Sequence, residues 1–247
     1  MIPPLVLIHG FTGSAASWDG VRRSLDTATA LVSPLGHGEP GAPNPKIESW
    51  AQELERLAAA LPAEPVHLAG YSLGARLALG LALTFPERVA RLTLVSGHTG
   101  LATDAERRER RAADARWCTL LEAEGMYAFV DAWEAQPLFA SQATLPAAVR
   151  AKHRAERLAH DPRALARSLR VTGLAEMPHY APRLEALAVP VTVMAGELDT
   201  KFLALGRGAA ERVRGSRFVV APSAGHDLLL ERPDLVALVL RDPNQKP

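Results

Sequence analysis

Apolar residues along this chain are gathered into short, predominantly apolar runs separated by stretches of helical period. The runs occupy residues 5–8, 30–33, 66–69, 91–96, 191–195 and 217–220, most of them flanked closely by glycine or proline. Continuous rather than alternating apolarity marks strands covered on both faces, which parallel sheets require. Helices are predicted between the runs over 47–61, 73–85, 202–213 and 233–240. In the first of these Trp50, Leu54, Leu57 and Leu61 share one face, and Pro86 stops the second. The alternation predicts an α/β core, a mostly parallel sheet flanked by helices.

The texture changes between residues 101 and 182, which hold no convincing strand and carry the charged run 106–111. This segment reads as an inserted helical cap. Pro137, Pro146, Pro162 and Pro178 divide it into about four helices, because proline lacks a donor and disfavours helix in the residue before it. Residues 1–100 and 183–247 would then form the core, with 242–247 as a frayed tail.

With 48% hydrophobic residues in 247, the chain can close one large core. Its 28 basic and 27 acidic side chains leave a net charge of +1, so no global field recruits nucleic acid or an anionic membrane. Any anion binding must be local. Most of the basic residues are arginine, so a lone arginine carries little information. A single cysteine, Cys118, excludes an internal disulfide, and no Cys/His cluster has the spacing of a metal site. Without a basic leader, or an apolar run approaching ~18 residues, the expectation is a soluble cytoplasmic protein with no obligate protein partner.

The chemistry begins with Gly70-Tyr71-Ser72-Leu73-Gly74, directly after one apolar run and directly before a helical stretch. Gly-x-Ser-x-Gly in this context is a nucleophile elbow, a strained turn that presents the serine hydroxyl at the carboxyl end of the sheet. The segment His9-Gly10-Phe11-Thr12-Gly13 follows the first run. It can set the Phe11 N–H opposite the Leu73 N–H as an oxyanion hole. His9 reads as a stabiliser of this loop. A serine needs a base and the base an orienting acid, and the chain supplies His226 and Asp199, each just after a predicted strand. The order Ser72, Asp199, His226 is that of α/β-hydrolases. Asp227, beside the base, is expected to point elsewhere, and Glu197 reads as a loop residue. Arg76 lies one helical turn beyond Ser72, on the nucleophile's face, where a guanidinium could take a substrate carboxylate or bridge to the cap.

Through 9–14, 36–38, 70–76, 97–101, 136–140 and 196–202 the chain resembles the 2-succinyl-6-hydroxy-2,4-cyclohexadiene-1-carboxylate synthases, lyases of menaquinone biosynthesis on the α/β-hydrolase fold. The resemblance implies elimination of pyruvate from 2-succinyl-5-enolpyruvyl-6-hydroxy-3-cyclohexene-1-carboxylate with no cofactor and no metal. It implies that Ser72, Asp199 and His226 form the triad. It also implies that Arg76, Arg110 and Arg154 bind this small tricarboxylate, with Tyr71 and Trp133 lining the site. By helical spacing Arg107 or Arg111 is the alternative to Arg110, and Arg107 and Arg108 are expected on a solvated face. Two other functions fit the fold: a serine hydrolase of an ester or of a carbon-carbon bond beta to a ketone, and a non-catalytic ligand receptor.

Overall fold

The computed structural model describes residues 2–38 and 45–241; the segment 242–247, read above as a tail, lies outside the described residues. In chain order the elements are β1 (Leu5–Ile8), α1 (Asp19–Arg22), β2 (Thr29–Leu31), α2 (Trp50–Ala60), β3 (Val66–Tyr71), α3 (Leu73–Thr84), β4 (Val89–Val95), α4 (Asp104–Glu134), α5 (Ala147–Leu158), α6 (Pro162–Thr172), β5 (Val191–Gly196), α7 (Thr200–Arg212), β6 (Arg217–Ala221), α8 (Leu228–Glu231) and α9 (Pro233–Arg241). The six strands make one sheet of order β2-β1-β3-β4-β5-β6, and every pair in it is parallel.

The pleat sorts the apolar runs onto two faces. Val6, Ile8, Leu68, Leu92, Leu94 and Val193 join a core closed by α2, α3 and α7. Their neighbours Leu5, Leu7, Ala69, Tyr71, Val95 and Met194 pack with Trp18, Val21 and the buried face of α8 and α9. Because the chain passes from β1 outward to β2 and then returns to β3 on the other side, the β1/β3 boundary is a topological switch point. The loops leaving these two strands diverge there and open a crevice above their carboxyl ends.

Helices alone connect β4 to β5 among the described elements. Pro137 begins a 3₁₀ segment, Pro146 precedes α5 and Pro162 opens α6, as the proline pattern anticipated, whereas Pro178 lies in an irregular stretch. Gly125 supplies a break that the prolines do not: at φ 79° and ψ −170° it divides α4 into two helical pieces. The inserted helices have a core of their own, in which Cys118, Leu121, Phe129 and Val130 of α4 meet Leu165, Ala166 and Leu169 of α6. Arg107 is not solvated as expected. Its guanidinium donates to the carbonyls of Leu101, Ala175 and Met177, tying the start of α4 to the chain that returns to the core.

Candidate active site

Ser72 occupies the turn between β3 and α3 at φ 51° and ψ −107°, a conformation that costs a non-glycine residue energy unless its surroundings impose it. Those surroundings are dense. The Ser72 N–H donates to the Val95 carbonyl at 2.9 Å. A Cβ on Gly70 would meet the Gly74 carbonyl oxygen at 2.2 Å, and one on Gly74 would meet the Ile8 carbonyl oxygen at 2.1 Å. Both glycines are required because the elbow folds its backbone directly onto itself and onto β1.

The Ser72 hydroxyl lies 3.0 Å from Nε2 of His226, and His226 Nδ1 lies 2.7 Å from Oδ2 of Asp199. With Nδ1–H donating to the carboxylate, Nε2 is left as the acceptor for the serine proton. Asp199 caps α7, its other oxygen accepting the Phe202 N–H. The loops carrying acid and base are sewn together: Leu198 N–H donates to the Ala224 carbonyl, and Glu197 accepts the Ser223 N–H. A Cβ on Gly196 would strike the Gly225 carbonyl oxygen at 2.0 Å. Ser96, at the end of β4, also donates to the His226 carbonyl at 2.8 Å. Sequence reasoning missed Ser96, because only the sheet order β4-β5-β6 brings the end of β4 to the loop that follows β6. Asp227 does point away from the base, toward His153 at 3.6 Å.

Phe11, Ser72 and Leu73 border one cavity of about 730 Å³. As the first residue of α3, Leu73 has no helical carbonyl four residues back to take its N–H. The Phe11 loop approaches the elbow so closely that a Cβ on Gly10 would meet the Tyr71 ring at 2.9 Å. His9 donates from Nδ1 to the Gly10 carbonyl, and burial lowers its pKa to about 4, so it stays neutral within the loop.

Tyr71, Trp133, Arg76 and Arg110 line the same cavity. Arg76 donates to the Thr172 carbonyl at 2.9 Å, and Arg110 pairs with Asp114 at 2.9 Å. Burial, with Arg110 close by, lowers Arg76 to about 9, which leaves it cationic at neutral pH. Lys201 is a further cationic lining residue that the motifs did not single out. His98 also borders the cavity; burial and then Arg76, Lys201 and Arg110 lower it to about 4.

Arg154 requires correction. Its guanidinium is turned to Asp131 and Glu134 and does not border the cavity. The cavity arginine of α5 is Arg157, one turn further on, 3% exposed and packed over the Phe139 ring. It binds Glu134 through Nη1 at 2.8 Å, while its Nε is buried without a protein acceptor. Trp133 Nε1 is buried in the same condition, within an aromatic cluster of Phe11, Trp117 and Phe129. Among the described residues no group of three or more His, Cys, Asp or Glu side chains is arranged to hold a metal ion.

Residues 3–233 match the family model described as alpha/beta hydrolase fold. A Bacillus subtilis (strain 168) relative, named provisionally as a 2-succinyl-6-hydroxy-2,4-cyclohexadiene-1-carboxylate synthase, is 38% identical over 243 residues, covering 96% of this chain and 89% of that one. A protein of Salmonella typhimurium with the same synthase name, without that qualification, is 34% identical over 97% of this chain and 94% of its own. The solved structure of MenH from S. aureus superposes with a TM-score of 0.92 at 28% identity, covering 97% of this chain and 92% of that one.

Proposed function

Since the chain belongs to the alpha/beta hydrolase fold family, and within it to the 2-succinyl-6-hydroxy-2,4-cyclohexadiene-1-carboxylate synthases, we propose that this cavity eliminates pyruvate from 2-succinyl-5-enolpyruvyl-6-hydroxy-3-cyclohexene-1-carboxylate. The enzyme is a carbon-oxygen lyase of menaquinone biosynthesis. The observation that carries the reading is the presence in one cavity of a Ser72–His226–Asp199 relay and of Arg76, Arg110 and Arg157. An ester pocket has little use for three guanidinium groups; a substrate with three carboxylates matches them.

In this reading Ser72, relieved of its proton by His226, acts as a base and forms no acyl intermediate. It takes the ring proton alpha to the succinyl ketone. The Phe11 and Leu73 N–H groups hold the enolate oxygen that develops, and the electron pair moves through the ring double bond as the carbon-oxygen bond to the enolpyruvyl group breaks. Trp133 and the three arginines fix the carboxylates, so binding energy is spent on holding the proton over Ser72. Residues 101–182 act as a cap that brings Arg110, Arg157 and Trp133 over the elbow. The enzyme acts on a small anionic substrate and works in the cytoplasm; no described helix is long and apolar enough to cross a membrane.

Incubation with the enolpyruvyl substrate is expected to release pyruvate and form the cyclohexadiene chromophore in equal amounts. Inertness toward that substrate, combined with turnover of simple esters to alcohol and acid, would overturn the proposal in favour of a hydrolase.

A further inference from the structure

We propose that Glu156 and His160, at the C-terminal end of α5, are positioning residues for the oxyanion loop, tying the Phe11 N–H to the helix that presents Arg157. The inference rests on the function proposed above and adds two residues that neither touch the relay nor belong to any motif in the sequence.

The loop after β1 needs an external hold. Thr12 sits at φ 63°, in the left-handed region where a β-branched residue is strained. Its two backbone groups are both engaged by histidines. The Thr12 N–H donates to Nε2 of His37, whose Nδ1–H donates to the Leu35 carbonyl, and the Thr12 carbonyl accepts from Nε2 of His160 at 3.1 Å. The peptide groups on either side of Thr12 are thus held separately, the one from Phe11 by a histidine of the core and the one to Gly13 by a histidine of the inserted segment.

Glu156 holds the far side of the loop. A single oxygen, Oε1, accepts from the Ser14 N–H at 2.8 Å, the Ser14 hydroxyl at 2.6 Å and the Ser17 hydroxyl at 2.6 Å. Burial would raise this carboxyl, yet the serine hydrogen bonds outweigh it and keep Glu156 below the usual carboxylate range. Three donors on one oxygen make a charge-assisted clamp rather than a passing surface contact. The partners are 139 to 148 residues apart in sequence, so nothing local forms it. Arg157 follows Glu156 directly and reaches the cavity. An anion bound at Arg157 therefore pulls on the segment that holds the oxyanion loop, and both ends of the substrate are read through one rigid piece.

Glu156→Ala, Glu156→Gln and the double variant Ser14→Ala/Ser17→Ala test this with two readouts: steady-state pyruvate release well below the melting temperature, and amide hydrogen exchange of residues 9–18. The proposal expects Glu156→Ala to exchange faster in this segment. It also expects kcat to fall between about 10-fold and the ~10²-fold that losing one oxyanion donor costs, with KM within about threefold. Glu156→Gln, which keeps the acceptor oxygen, should recover most of kcat. If Glu156→Ala does not fold, the double serine variant must show the same kcat loss. A lowered melting temperature with kcat and KM unchanged would reduce the clamp to simple docking and overturn the proposal, as would a rise in KM alone. A wild-type enzyme that releases no pyruvate would count against the function instead. The exchange arm then decides the clamp, and unchanged exchange at 9–18 overturns it.

Discussion

The proton of Ser72 is aimed at Nε2 of His226, and that ring is oriented by Asp199, so the three side chains act as a unit. Ser72→Ala and His226→Ala are each expected to lower kcat by roughly 10³-fold or more, with the folded state retained by circular dichroism. The double variant should be little worse than either single one. The arginines provide a sharper contrast. Replacing Arg76, Arg110 or Arg157 by Ala removes a charged hydrogen bond and should cost roughly 1.5–3 kcal/mol in kcat/KM. Arg154→Ala loses only surface pairs with Asp131 and Glu134, worth at most ~1 kcal/mol of stability, and should keep kcat/KM within about twofold. A crippled Arg154→Ala beside a normal Arg157→Ala would reverse this assignment. The resemblance implied Arg154, and Arg157 lies only three residues further along α5, so the local pattern does not separate the two. The choice is made by Glu156 and His160, whose long-range hydrogen bonds fix the roll of the helix and leave no trace in the local pattern.

At the scale of elements, strands buried on both faces were legible because their runs are dominated by apolar residues: β1 is reproduced residue for residue, and β5, with only Thr192 interrupting it, extends one residue further to Gly196. The edge strand β2 was displaced, running over Thr29–Leu31 rather than 30–33, because its half-exposed side chains give a weaker signal. The break at Gly125 went unread because a lone glycine is tolerated inside a helical pattern. A Cβ there meets no atom within 4 Å, so Gly125→Ala isolates the backbone term. It should destabilise the protein by about 1 kcal/mol or more, seen as a lower urea midpoint. Arg107→Ala tests a different element. Three backbone carbonyls lose their charged donor, and a cost of ~1.5–3 kcal/mol should lower Tm by several degrees. Because Arg107 does not border the cavity, kcat/KM should stay near the wild-type value. If catalysis fails while Tm is unchanged, the side chain serves the substrate and not the docking of α4.

The whole molecule carries a titration that its near-zero net charge conceals. Burial lowers His9 and His67 to about 4, and burial with the nearby cations does the same to His98; His37, His153 and His160 are lowered as well. Folding therefore favours the neutral rings. Above pH ~6.5, the unfolded value, this contribution is fully present; as pH falls toward 4 the unfolded chain takes up protons that the folded one refuses. Stability should fall by about 1.4 kcal/mol per pH unit for each of His9, His67 and His98 across that window. Urea unfolding at pH 7 and pH 5 measures it, and equal midpoints would contradict the burial argument. One junction has a wider consequence. The Tyr180 N–H donates to the Thr99 carbonyl at 2.7 Å, and a Cβ on Gly100 would strike the Pro178 carbonyl oxygen at 2.2 Å. The chain thus leaves the sheet and comes back to it at a single seam, as a pendant hangs from a clasp. What hangs there can be exchanged with β4 and β5 keeping their register only if Glu156, His160 and the loop after β1 that they grip stay matched, so a change in the molecule consumed carries part of the catalytic apparatus with it. A chimera joined at this seam should inherit the substrate preference of whichever parent donated the pendant, and kcat/KM for the two parental substrates would read out that inheritance.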